Sequence, residues 1–210
     1  MKTHPAPIST NPIYATRTPI VLASGSPRRR DFLASLGLEF RVVPSLAEEP
    51  NPTPGDSPES YAQRMAEMKG REVAERHPDC VVIAADTVVA LEGILLGKPD
   101  NDEDALRMLQ LLTGRTHQVV TGCCLLLPGG ESAVFHACTD VRMRAASHEE
   151  LAAYVATGEP ADKAGAYAIQ GIGAFLVEHV HGSYTNVVGL PLARVLEVLL
   201  KWGIIVPQQG

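Results

Sequence analysis

The run VVIAADTVVAL, residues 81–91, limits the fold more than any other stretch of the chain. Its length, its β-branched residues and its lack of polar alternation predict a central strand of a sheet. One acid interrupts it. A carboxylate such as Asp86, in or just beyond a buried strand, needs a metal, a cation or a strong hydrogen-bond network, or it takes up a proton. The plainer alternative puts Asp86 at a strand end, capping a turn.

The segments around this strand predict an α/β protein with a mixed sheet. IVLA (20–23) reads as a short buried strand, and SGSP turns it into a helix with Ser26 as N-cap and Pro27 in the first turn. Phe32, Leu33 and Leu36 give that helix its apolar face and Gly37 ends it. FRVVP (40–44) is a second strand, followed by an acidic, Pro-rich loop from Ser45 to Asp56, expected to be exposed and mobile. A helix over 57–77 starts at Ser57 and carries Tyr61, Met65 and Met68 at helical spacing. Another over 102–112 carries Ala105, Met108, Leu109 and Leu112 on one stripe. Two strands, 117–127 and 133–145, are joined at PGGE as a hairpin. Ser147 and Glu150 form a capping box. GAFLVEHVHG follows a Gly-rich connection, and LPLARVLEVLLKWG is an amphipathic helix.

Nothing in the 210 residues marks a linker between independent domains or an internal repeat. The reading is a single domain over 20–203, with a loosely held polar, Pro-rich tail over 1–19 and a short tail over 204–210. A hydrophobic fraction of 45% excludes wholesale disorder. The longest apolar runs, VVIAA and CCLLL, are too short to span a membrane. The formal net charge of -6 argues against non-specific nucleic-acid binding, so a polyanionic ligand must meet a local basic cluster. Cys80, Cys123, Cys124 and Cys138 form no CxxC pair, and the N-terminus lacks the apolar core of a secretory signal. All four cysteines are expected as small buried hydrophobes in a reducing cytoplasm.

Several residues contradict their local setting. Arg28, Arg29 and Arg30 stand in the first turn of a helix, where the dipole disfavours a cation by roughly 0.3–1 kcal/mol each. With free backbone N–H groups, Arg28 and Arg29 make an anion cradle suited to phosphate, whereas Arg30 reads better as a surface residue paired with Asp31 or Glu39. Lys69 lies four residues after Met65 and eight after Tyr61, so a stripe facing the core also presents an ammonium, unless that side chain snorkels outward. Lys98 follows Gly97 in a polar turn. GEPADKAGAYAIQGIGA carries Asp162, Lys163 and Gln170 among closely spaced glycines, which suits tight turns or close approach to a ligand.

Other catalytic templates fail. The chain has no GxxxxGK[ST], no GxSxG and no HExxH, and GIGAFL precedes a strand instead of opening a helix. His117, His136, His179 and His181 lack ligand spacing and read as structural or exposed. What remains is carboxylates, basic residues and a hard divalent cation, an inventory suited to phosphoryl chemistry on a nucleotide.

LASGSPRRRDFLASLG, AADTVV, GKP before a helix with ML and TG, and GEPADKAGAYAIQGIGA with GSYTNVVGLPL together resemble the Maf family of nucleoside triphosphate pyrophosphatases, in the same order from about Ile20 to Trp202. The resemblance implies an elongated two-lobed α/β fold around a curved mixed sheet, similar to the inosine triphosphatase fold. It also implies an active site in the cleft, and commonly a homodimer. Asp86 matches the carboxylate that activates water. Ser24, Arg28, Arg29, Lys69 and Lys98 match groups that hold the triphosphate. Glu49 and Asp86 are implied to hold Mg²⁺ or Mn²⁺, and Arg28, Thr87 and Gln170 match positions tied to base discrimination. SPRR and AYAIQG resemble the branch acting on dTTP and UTP, whereas the branch acting on 7-methyl-GTP usually has Trp where Arg28 stands. Two departures are visible: SLAEEP lacks a further Asp near Leu46, and Gly70 follows Lys69 where Ala is usual. A role in cell division or septum formation as a non-catalytic nucleotide-binding regulator is the alternative the family brings with it.

Overall fold

The structure, a computed structural model, describes residues 12–53 and 55–208. At its centre β4 (Val81–Leu91) is buried along its length except at Thr87, which is half-buried. One edge of β4 pairs antiparallel with β6 (Thr116–Leu126) from Val82 to Ala90. The other edge is divided. β2 (Ile20–Leu22) runs parallel to Val81–Ile83, and β5 (Ile94–Leu96) runs antiparallel to Val89–Leu91. Between them residues 84–88 have no strand neighbour on that side among the described residues, and Asp86 sits in this opening.

β3 (Phe40–Val42) extends the sheet beyond β2 in parallel, while β7 (Ser132–Met143) and β8 (Val177–His181) extend it beyond β6 antiparallel. The result is the expected α/β architecture on a seven-stranded mixed sheet. The helices begin where the residues dictate. α1 (Pro27–Ser35) opens on its proline, although Ser26, at the N-cap position, makes no side-chain capping bond. α2 (Pro58–Arg76) has a capping box formed by Ser57 and Ser60, and α4 (His148–Val155) has one formed by Ser147 and Glu150. α3 (Asp102–Leu112) buries the predicted stripe of Ala105, Met108, Leu109 and Leu112. α5 (Tyr184–Val188) is a short helix, and α6 (Leu192–Lys201) buries Val195 and Leu199.

Two apolar clusters hold the two halves of the sheet. One gathers Leu91, Leu109, Leu112, Met143 and Leu151. The other gathers Ile20, Leu22, Leu33, Ile83, Leu125 and Leu199. Each fully buried Leu or Ile contributes roughly 1.5–3 kcal/mol, so both halves are well anchored. β4 serves both, with Val81, Ile83 and Ala85 in one cluster and Val89 and Leu91 in the other. Asp86 and Thr87 fall at the waist between them. Across the other face lies α2, whose Ala66 and Val73 pack on Val82, Ala84 and Cys124.

The expected boundaries differ at both ends. Tyr14–Thr16 forms β1 and pairs antiparallel with β9 (Ile205–Pro207), so regular structure begins before Ile20 and continues past Gly203. Each strand is three residues long and its partner lies at the far end of the chain, leaving no periodicity for a local reading to detect. The rest of the expected N-terminal tail, residues 1–11, lies outside the described residues. Cys80, Cys123 and Cys124 are buried as expected, but Cys138 is exposed, because it lies on β7 with its side chain away from the core. All four are free thiols. No helix among the described residues is long and apolar enough to cross a membrane.

Candidate active site

The turn from β2 into α1 delivers Ser24, Arg28 and Arg29 to the sheet opening. Arg29 turns inward. Its Nε donates to the Gly189 carbonyl (2.7 Å), Nη1 donates to the Ala85 carbonyl (2.8 Å) and to Ser24 Oγ (3.1 Å), and Nη2 donates to Thr87 Oγ1 (2.9 Å). One guanidinium thus ties the end of β2, the unpaired edge of β4 and the loop after α5 together. Only a planar fork with several fixed donors can do this. Burial lowers the Arg29 pKa while the charge of Asp86 acts the other way, and arginine stays protonated in either case. Gly189 has φ +118°, a left-handed conformation that suits glycine and aims its carbonyl at Arg29.

From the other face, α2 presents Lys69 in the stripe begun by Tyr61 and Met65. Its ammonium donates to Asp86 Oδ1 (2.6 Å) and is paired with Glu49 Oε1 (2.7 Å). Lys69 and Asp86 are nearly buried, with side chains 15% and 11% exposed, whereas Glu49 is 47% exposed at the rim. Asp86 therefore lies within a strand and is satisfied by a cation; it does not cap a turn. Gly70 has a packing reason: a Cβ there would stand 2.9 Å from Leu126 Cδ1 and 3.3 Å from Ala84 Cβ.

A cavity of about 800 Å³ occupies the opening, and all nine residues that the family resemblance implies for the site line it: Ser24, Arg28, Arg29, Glu49, Lys69, Asp86, Thr87, Lys98 and Gln170. Five cationic side chains (Arg28, Arg29, Lys69, Lys98 and Lys163) face three acids (Glu49, Asp86 and Asp162), so a chain that is acidic as a whole has a basic pocket. The cations differ in what they are free to do. Arg29 spends its donors on protein groups and Lys69 on two carboxylates, while Arg28 and Lys98 have no hydrogen bond or ion pair among the described residues. Arg30 points away and pairs with Asp31 on the surface. Ser24 Oγ accepts from Arg29 and from the Ser26 N–H, which leaves its own proton to donate.

Several contributors escaped the sequence reading. Gly165 N–H donates to the Gly97 carbonyl (2.9 Å), which sets the turn of Lys98 against the segment of Lys163. Thr121 on β6 meets Thr87 Oγ1 at 2.9 Å and donates to the Asn186 carbonyl at 3.2 Å. Tyr167, on the cavity wall, is bonded to buried His117 (Nε2 to Oη, 2.7 Å), and burial pulls the His117 pKa down to about 4. These partners lie 34 to 68 residues apart in the chain, so no local pattern announces them.

Known proteins resemble this chain over most of its length. The chain is 55% identical over 197 residues to a dTTP/UTP pyrophosphatase of Nitratidesulfovibrio vulgaris, covering 94% of this chain and 93% of that protein. It is 52% identical to the protein of the same name from Oleidesulfovibrio alaskensis, over 92% of this chain and 90% of that one. The protein of that name from Deinococcus radiodurans is 47% identical, over 88% and 93% respectively. Among solved structures, the Staphylococcus aureus Ham1 protein aligns at 22% identity and a TM-score of 0.44, over 60% of this chain and 71% of that one. Residues 19–202 match the family described as Maf-like protein, and the chain belongs to the Maf family.

Proposed function

We propose that the protein hydrolyses dTTP and UTP at the α,β-phosphoanhydride, releasing the nucleoside monophosphate and pyrophosphate. The observation that carries this reading is the Lys69–Asp86 pair at the sheet opening, facing a cavity with uncommitted cations at Arg28 and Lys98. Close relatives named for the same activity support it. Water attacks the α-phosphorus, the bond to the bridging oxygen breaks, and pyrophosphate leaves with its charge met by Arg28, Lys98 and Ser24 Oγ–H. Asp86 orients the water and takes its proton, while Lys69 fixes the carboxylate. Arg29 acts behind this set by holding Ala85, Thr87 and Gly189 in place.

Glu49 and Asp86 are the carboxylates that would hold Mg²⁺ or Mn²⁺, which when bound offsets triphosphate charge. The donor set fits a cation shared with substrate: Glu49 and Asp86 converge on one point of the cavity wall, at the Lys69 ammonium, and Mg²⁺ usually takes one or two carboxylates plus substrate phosphates and water. Gln170, Thr87 and Arg28 are assigned to reading the base. A homodimer with no stable nucleic-acid complex completes the reading, and the four free cysteines suit a reducing cytoplasm.

A non-catalytic nucleotide-binding regulator of cell division is the second reading. Asp86 favours catalysis over it, because a pure sensor gains nothing from a carboxylate beside its ligand's phosphates. Incubation of dTTP or UTP with Mg²⁺ and analysis of products tests both. Monophosphate with pyrophosphate is expected; diphosphate with orthophosphate overturns the regiochemistry, and no turnover on any nucleotide favours the regulator.

A further inference from the structure

The loop that brings Gln170 to the cavity is fastened from behind. Glu159, in a 3₁₀ turn (Glu159–Asp162) just after α4, accepts from the Ile172 N–H at Oε1 (2.9 Å) and from the Gly173 N–H at Oε2 (2.8 Å). Its Oε2 also accepts from the Tyr154 hydroxyl (2.7 Å), and the Tyr154 oxygen accepts from the Ala168 N–H (3.1 Å). The backbone is therefore gripped on both sides of Gln170. The loop's own glycines make room for this grip. Gly171 has φ +102°, and a Cβ there would stand 2.2 Å from Glu159 Oε1, while a Cβ at Gly173 would stand 2.3 Å from Tyr154 Oη.

Neither Glu159 nor Tyr154 lines the cavity, and Tyr154 is only 2% exposed. Burial alone pushes the Glu159 carboxyl up, but the hydrogen bonds from Tyr154, Gly173 and Ile172 outweigh it and hold the group below the usual carboxylate range. The carboxylate is thus a committed acceptor. A segment with four glycines between 158 and 173 would otherwise sample many backbone conformations.

We propose that Glu159, acting with Tyr154 through residues 168–173, is a positioning residue for base selection: it fixes where the Gln170 amide stands in the cavity without touching the nucleotide. The proposal rests on the reading of Gln170 as the group that meets the base. A loop held loosely would let the same amide adapt to the wrong hydrogen-bond pattern, so discrimination would fall while the phosphate chemistry at Asp86 continued.

The test uses the full chain with Glu159→Gln, which keeps shape but replaces one acceptor oxygen by a donor. Amide hydrogen exchange of Ala168, Ile172 and Gly173 is expected to speed up by about tenfold or more, because local opening no longer breaks the carboxylate bonds. The ratio of kcat/KM between the best and worst of dTTP, UTP, CTP and GTP is expected to shrink by about threefold or more, with kcat on the best substrate within about threefold of wild type. Nucleotide Kd values supply the ranking if turnover is absent. Unchanged exchange overturns the proposal, as does faster exchange with an unchanged ranking. A wild type that ranks CTP or GTP first overturns the base assignment instead, and the clamp is then judged by whether that ranking narrows. Should Glu159→Gln fail to fold, Tyr154→Phe, which removes the hydroxyl that joins Glu159 to Ala168, carries the same two readouts.

Discussion

Gly122 on β6 lies against the backbone of Ala62 on α2, so close that a Cβ at Gly122 would stand 2.3 Å from the Ala62 carbonyl carbon and oxygen. Gly122 is also the register partner of Asp86. The bare backbone at this position lets α2 settle onto the sheet where Lys69 can reach the acid. Gly122→Ala would have to push a helix backbone away, not a flexible side chain. It is expected to lower stability by about 1–3 kcal/mol in urea unfolding and to reduce turnover as Lys69 withdraws from Asp86. Wild-type turnover in a folded Gly122→Ala protein would show that the close approach has no catalytic role.

Arg29→Lys keeps the charge but cannot span Gly189, Ala85, Ser24 and Thr87 at once. Leaving two buried carbonyls without donors is expected to cost about 2–4 kcal/mol, read from the same unfolding curves. A loss under about 0.5 kcal/mol would mean that water or backbone shifts replace the fork.

What the sequence made legible is what local patterns encode. The stripe of α3 and the Ser147–Glu150 capping box follow from spacing, and Lys69 stood out because a cation interrupted a core-facing stripe. Asp86 stood out for the same reason in a strand. The work of Arg29 did not, since its four acceptors come from three separated stretches and two are backbone carbonyls that carry no residue signature. Arg30 reads from the sequence as a surface residue and is indeed exposed and paired with Asp31, but Arg28 and Arg29 looked alike, yet Arg29 is buried and spent while Arg28 lines the cavity uncommitted. Packing against distant elements made that distinction, and no local pattern carries it.

Asp86→Asn preserves size and a hydrogen bond to Lys69 but removes the proton acceptor. Turnover is expected to fall by about 10²–10⁴, with nucleotide affinity largely retained. A variant keeping more than about a tenth of wild-type kcat would remove Asp86 from the base role.

Gln170→Ala addresses base choice. Uracil and thymine offer two carbonyl acceptors flanking an N–H, which an amide can meet with a donor and an acceptor; cytosine presents an amino group where the amide needs an acceptor, at a cost of roughly 1–3 kcal/mol. Wild-type kcat/KM is expected to favour dTTP and UTP over CTP by about tenfold or more, and Gln170→Ala is expected to narrow that gap while turnover persists. Lost turnover with an unchanged ranking would assign Gln170 to the chemistry.

His117 gives a pH signature. It is neutral in the fold, with a pKa near 4 against an ordinary 6.5, so between those values the unfolded chain binds a proton that the folded chain does not. Stability is therefore expected to fall as pH drops from about 6.5 to about 4, by at most roughly 3 kcal/mol from this residue. His117→Gln, which retains a partner for Tyr167, should flatten that portion of the slope. Parallel wild-type and variant curves across this window would show that His117 is protonated in the fold.

The short ladder of Tyr14–Thr16 with Ile205–Pro207 makes the described chain a ring closed by a seam of three residue pairs. Joining segments about 190 residues apart carries an entropic cost that grows only with the logarithm of the enclosed length, so the seam is not much harder to hold shut than a modest loop. It is nevertheless among the most non-local pairings in the molecule, and such pairings form once the elements they bridge are already in place. The seam should thus be the last part of the sheet system to zip during folding and the first to part under mild denaturant, while the waist that holds Asp86 and Lys69, where β4 pairs with β6 and α2 packs on both, stays intact.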